Sequence, residues 1–203
     1  MKFIASSAHL LQAQRENALD NVFYTLPDTA LRQGGQPFFV PDEGTPCEAY
    51  PCVAVRVCRQ GRSISPRFAH RYYDAYTAAV HFVMAGQLSA LRSVGAPWTQ
   101  AVGFDGAACL GRFVELPAAT DGATASMLEA AFHFSATCDA TAEIDVDTSA
   151  IDTFVAQASR YFTLHQGDVL LLGEHPAQVH PARLNTVIKA RVGGTDVLAF
   201  NVK

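Results

Sequence analysis

Apolar and polar positions alternate most clearly between Val53 and Cys58, where Val53, Val55 and Val57 take turns with Ala54, Arg56 and Cys58. A period of two predicts a strand with one buried face. Shorter apolar runs from Lys2 to Ala5 and from Val22 to Leu26 predict two earlier strands. Ser7 to Ala18 reads as a helix or an ordered loop. Pro27-Asp28 and Gly34-Gly35 are turns. Pro37 to Val40 is extended, and residues 41–48, with two prolines and a glycine, read as loop. Ser65-Pro66 predicts a helix start, with serine as cap and proline at the first helical position, running to about Tyr73.

Tyr76 to Met84 predicts a second long strand, and Gly95-Ala96-Pro97 breaks the segment after it. Arg112 to Leu116 and Leu128 to Thr137 are strand candidates. Ser149-Ala150 is read as the cap of a helix to about Ser159, with Ile151, Phe154, Val155 and Ala158 on one face. Gln166-Gly167-Asp168 turns into the apolar strand Val169 to Leu172. Thr186 to Val192 and Val197 to Val202 flank Gly193-Gly194-Thr195-Asp196 and predict a terminal hairpin. No internal repeat or low-complexity tract interrupts this order. The pattern predicts one β-rich α+β domain over 1–203 with two or three helices.

Composition narrows the class. The 203 residues are 49% hydrophobic and 17% charged, enough apolar content for one sizeable core and too little charge for a disordered chain. So small a charged fraction also suggests that some surface is covered by a partner. The formal net charge is −4. Arg56, Arg59 and Arg62, then Arg67 and Arg71, are the nearest approach to a basic stripe, but the first three fall in a strand and its turn. They read as solvated or ion-paired surface, so no nucleic-acid partner is expected. No run reaches the roughly 18 apolar residues of a membrane helix, and Met1 to Leu11 lacks the apolar core of a signal peptide, so no membrane partner and a cytoplasmic location are expected. Cys47, Cys52, Cys58, Cys109 and Cys138 make an odd set without a CxxC pair and read as small buried hydrophobes. Gly103 to Gly111 does not sit between a strand and a helix, so no phosphate role is assigned to it.

Three separated stretches resemble the fumarylacetoacetate hydrolase family. Val53 to Thr77, reading VAVRVCRQGRSISPRFAHRYYDAYT, is similar to its strand, basic turn and alanine- and tyrosine-containing helix. Gly95 to Ala108, GAPWTQAVGFDGAA, is similar to its loop with a Lys-Gly/Ser-Phe-Asp core. Tyr161 to Gly173, YFTLHQGDVLLLG, is similar to its Gly-Asp strand and loop. Phe23 to Phe39 is similar to the family's segment of strand, glycine turn and extended run. The resemblance implies a mixed β-sandwich roll with a few flanking helices and a homodimer. It also implies a reaction class: a Mg²⁺ or Mn²⁺ ion chelates a 2-oxo or β-diketo acid, which is cleaved, decarboxylated or tautomerised through an enolate.

The residues at the implied site differ from that pattern. The family's Glu-x-Glu metal ligands fall at Tyr50 and Cys52, and its aspartate ligand at His81. Its lysine falls at Val102 and an arginine at Ala85. The lid segment falls at His9, Leu10, Ala13 and Glu16, and only the glutamate remains. The Thr-Gly-Thr-Pro loop falls near Leu172 to Pro176. A phenol, a thiol and an imidazole do not replace three carboxylates around a hard divalent cation, because the offsetting negative charge is gone. Moving Glu48 into the site would slip the strand by two or four residues and displace the valine pattern.

No Mg or Mn site, and no catalytic residue, is therefore expected. The chain reads as a scaffold that has lost this chemistry and binds a small carboxylic or 2-oxo acid or a protein partner. The alternative is an active hydrolase, decarboxylase or isomerase of acylpyruvates or other β-diketo or 2-oxo acids, which either retains weak 2-oxo-acid chemistry or uses a different metal such as Zn or Fe, held by Tyr50, Cys52 and His81 and joined by His175 or His180. A Cys52 nucleophile paired with His81 lacks an oxyanion hole and an orienting third group in the sequence. His70 reads as structural, and no Gly-x-Ser-x-Gly is present.

Overall fold

The computed structural model describes residues 1–6, 22–41, 46–116, 126–135, 139–173 and 178–203. Two sheets carry the fold. The larger orders its strands β2 (Phe23–Leu26), β1 (Phe3–Ser6), β10 (Val169–Leu172), β4 (Cys47–Val57), β5 (Tyr73–Met84), β6 (Ala108–Leu110) and β3 (Leu31–Arg32). Two short strands, β11 (His180–Pro181) and β7 (Val114–Glu115), add to β4 and β5. The smaller sheet is antiparallel, in the order β13 (Thr195–Asn201), β12 (Val187–Val192), β8 (Met127–Ser135), β9 (Ala140–Asp147). In the larger sheet β1 runs parallel to β10 and β3 to β6; its other pairings are antiparallel. The architecture is the mixed, strand-rich α+β form the sequence predicts.

One core lies between the sheets. It joins Val53, Val55, Val80 and Phe82 of the large sheet to Leu128, Phe132, Ile188 and Phe200 of the small one. The second core covers the far face of the large sheet, where Tyr50, Cys52, Ala54 and Ala79 meet Leu88 of helix α1 (Ala85–Ser93) and Ala101 and Val102 of the short helix α2 (Thr99–Val102). With both faces covered, β4 and β5 are buried almost throughout. The valine alternation of β4 thus sends its valines to one core and Tyr50, Cys52 and Ala54 to the other.

Several elements differ from expectation. Strand β4 begins at Cys47, six residues before Val53 and inside the expected loop, and it runs through Pro51. Proline is tolerated there because it falls between the two partners on that edge: β10 pairs with Val53 to Arg56, and β11 with Glu48 and Ala49. The expected helix after Ser65 is a 3-10 helix, Pro66–Tyr72. Helix α3 (Thr148–Tyr161) is capped by Asp147, whose carboxylate accepts from the Ser149 amide at 2.7 Å; Ser149 is not the cap. Its expected apolar face is buried, and Tyr73 at the end of the 3-10 helix donates to Asp152 on it at 3.0 Å. The terminal hairpin forms as expected about Gly193-Gly194.

Candidate functional site

The register of β4 on β5 sets Tyr50 directly opposite His81. Cys52 lies two residues along the same face, opposite Ala79. Val102 approaches from α2 above this face. The structure brings Tyr50, Cys52, His81 and Val102 together on this face. Tyr50 is 5% exposed, Val102 1%, and Cys52 and His81 are fully buried.

Each polar group here is turned onto protein. His81 Nε2 lies 2.7 Å from the Val102 carbonyl, which only accepts, so Nε2 carries a proton and donates. In the neutral ring, Nδ1 accepts from the Tyr24 hydroxyl at 3.2 Å. Tyr24 is itself held edge-on by Trp98, with ring centroids 5.3 Å apart. The Cys52 thiol donates to the Ala79 carbonyl at 3.4 Å, and the Tyr50 hydroxyl donates to Glu48 Oε2 at 2.7 Å.

Glu48 enters this site without the slip that the sequence reading required of it. It stands two residues before Tyr50 on the same face, opposite Val83, while the valines keep their core positions. The i, i+2 spacing was visible in the sequence; what hid it was the assignment of residues 41–48 to loop. Tyr24 and Trp98 were also missed. Only the contact of Tyr24 with His81, and of Trp98 with Tyr24, singles them out, because an aromatic in a short strand or before a four-residue helix is an ordinary core residue.

The expected soft metal set does not assemble with His180. That residue pairs with Ala49, whose side chain faces the core between the sheets, and its ring stacks on Phe134 at 4.1 Å. It is on the opposite face of β4 from Tyr50. Burial holds its imidazole below the usual histidine range. Among the described residues no group of three or more His, Cys, Asp or Glu is placed to hold a metal ion. Ala13, Glu16, His9, Leu10 and His175 lie outside the described residues.

Among the described residues the donor set does not fit Mg²⁺ or Mn²⁺. Hard cations take oxygen ligands with offsetting charge, and none of the three implied ligand positions carries a carboxylate. A soft ion needs an unprotonated imidazole nitrogen and a thiolate. Here Nε2 is committed to a carbonyl, Nδ1 to a hydroxyl, and the Cys52 thiol uses its proton on a carbonyl.

Comparison with known proteins bears on the frame. The family model "Fumarylacetoacetate (FAA) hydrolase C-terminal" matches residues 3–195. The mitochondrial oxaloacetate tautomerase FAHD1 of Bos taurus is 23% identical over 195 residues, 96% of this chain and 86% of that protein. The corresponding fahd-1 of Caenorhabditis elegans is 29% identical over 153 residues, 74% of this chain and 69% of that one. Among solved structures, the fumarylpyruvate hydrolase of Pseudomonas aeruginosa, in complex with Mn²⁺ and pyruvate, superposes with a TM-score of 0.80 at 17% identity, covering 100% of this chain and 89% of that one. The 5-carboxymethyl-2-hydroxymuconate delta-isomerase of Mycobacterium smegmatis gives 0.75 at 23% identity, covering 99% and 78%. At these identities the superpositions establish the fold alone.

Proposed function

The chain belongs to the fumarylacetoacetate hydrolase family, and we propose that this member keeps the scaffold without the divalent-metal chemistry of 2-oxo acids. One observation carries the reading. The three positions that correspond to carboxylate ligands hold Tyr50, Cys52 and His81, closed into the interior with their polar atoms spent on Glu48, Ala79, Val102 and Tyr24. Among the described residues an enolate forming there would meet no positive charge to stabilise it, and that stabilisation is the larger part of such catalysis. The protein then acts by binding, as a homodimer that takes up a small carboxylic acid or a protein partner.

Elemental analysis and turnover test this together. The protein purified in Mg²⁺ and Mn²⁺ buffers is expected to retain neither ion stoichiometrically. It is expected to leave acylpyruvates and oxaloacetate at their uncatalysed rates. A stoichiometric ion, or turnover abolished by a chelator, overturns the reading.

A second reading, an active family enzyme, draws its support from Glu48. Its carboxylate on the Tyr50 hydroxyl is the one acidic group within hydrogen-bond reach of Tyr50 among the described residues. An enzyme built on it loses turnover in Glu48→Gln. A version with Zn or Fe loses its metal in Cys52→Ser.

A further inference from the structure

A concavity lies at the end of β6, apart from the Tyr50–His81 pair. It is a half-open concavity of about 290 Å³ lined by Gln33, Leu110, Arg112, Phe113, Val197 and Ala199, of which Leu110 and Val197 are core residues and Phe113 is half-buried. That is near the small end of ligand-sized sites. The Gly34-Gly35 turn closes one side, with both residues at positive φ, +70° and +75°. A side chain at Gly35 would come within 2.9 Å of the Ala199 carbonyl oxygen, so the turn lies with bare backbone against β13.

Arg112 is the one charged residue of the lining. Its backbone is pinned on two sides: its amide donates to the Val197 carbonyl at 2.9 Å, and its carbonyl accepts from the buried Thr77 hydroxyl at 2.9 Å. The exposed guanidinium thus projects from a fixed point. Some other arginines are occupied, Arg56 by Asp74, Arg191 by Asp196 and Arg67 by the Phe68 ring. Among the described residues no carboxylate or ring is set against Arg112. The Phe113 wall is steadied on its own account by the Arg56 guanidinium, 5.8 Å from the ring centroid.

We propose that this concavity is a binding site for a small monocarboxylic acid with a flat apolar body, the carboxylate on Arg112 and Gln33 and the body against the half-buried Phe113 ring. A guanidinium offers two parallel N–H donors, which match a carboxylate. Apolar walls with no second cation suit a monoanion better than a phosphate. The inference is independent of whether the Tyr50–His81 site has kept any chemistry.

Benzoate is the probe, with neutral benzamide of the same shape as control, titrated into the full chain and followed by amide chemical shifts. Saturable shifts are expected at Gly34, Gly35, Gly111 and Arg112. Arg112→Gln is expected to weaken benzoate binding at least about tenfold, the order of one charge-assisted pair. Ala199→Leu, which fills the cavity from an exposed strand position, is expected to abolish it. His81→Gln is expected to leave it unchanged. The proposal is overturned if benzoate gives no saturable response, if benzamide binds equally well, if Arg112→Gln binds as the parent does, or if the response depends on His81 instead.

Discussion

Replacing His81 by leucine measures what the imidazole does in this protein. The substitution keeps roughly the side-chain volume but removes a donor from the Val102 carbonyl and an acceptor from the Tyr24 hydroxyl, at a fully buried position. Each group left without its partner costs about 1–3 kcal/mol. The added apolar burial returns about 1–2 kcal/mol. The net loss is then roughly 2–4 kcal/mol, and at about 2–4 °C per kcal/mol for a domain of this size the melting temperature falls by about 5–15 °C. His81→Gln retains an amide donor for Val102 and should lose about half as much. Urea denaturation of the three proteins, with metal analysis of each sample, is the assay. If His81→Leu is as stable as the parent, the two hydrogen bonds do not hold the site. If it unfolds normally but sheds a stoichiometric metal ion, His81 is a ligand and the packed-site reasoning fails.

Three further outcomes follow from groups elsewhere. Burial, with Glu48 nearby for Cys47, pushes the Cys47 and Cys109 thiols up to about 12, so almost no thiolate exists at pH 8; peptide mapping after brief iodoacetamide treatment should find half-exposed Cys58 alkylated before either, and equal labelling refutes this. Burial raises the Asp168 carboxyl, but the Lys2 ammonium and the His165 and Lys2 amides outweigh it and hold the group below the usual carboxylate range. Its stabilisation is therefore present above the unfolded value near 4 and is lost as pH falls through the folded one; Asp168→Asn should cost about 2–3 kcal/mol at pH 7 and progressively less in acid, read from urea midpoints. His180 is held neutral by burial, so the unfolded chain takes up its proton first, and stability should fall as pH drops below about 6.5. His180→Phe should flatten that slope, and an unchanged slope assigns the sensitivity to another group.

Much of the frame was legible because its signals are local. The Gly193-Gly194 turn, the alternation of Val53 to Val57 and the apolar face of α3 each sit within a few residues. Strand β9 was not legible. Ala142, Ile144 and Val146 alternate correctly, but Glu143, Asp145 and Asp147 fill the outer face, and acidic residues lower strand propensity until a partner strand supplies the packing. Helix α1 was hidden for a similar reason, since Gly86 stands in its first turn. At the site, the resemblance supplied the positions of Tyr50, Cys52 and His81, and the β4–β5 register brings them together. The partners of His81 are contributed by β2 and α2 from distant parts of the chain, and local pattern carries no record of such contacts. The same limit placed His180 on the wrong face: a strand of two residues has too few positions for its alternation to be read.

The parallel pairing of β1 with β10 joins Phe3 to Val169 and Ala5 to Leu171, and the Lys2–Asp168 ion pair clamps the same junction across 166 residues. On a ribosome adding about 5–20 residues per second, the first strand waits roughly ten to thirty seconds for the neighbour that shelters it. Through that interval it has only the antiparallel partner β2, and its other edge carries unpaired amides and carbonyls beside Phe3 and Ile4. Closing so long a loop comes late in folding, when most of the entropy cost must be met before any contact returns it. The newborn chain is thus exposed to mispairing at β1, and whatever shields nascent strands in the cell should be needed there until β10 arrives.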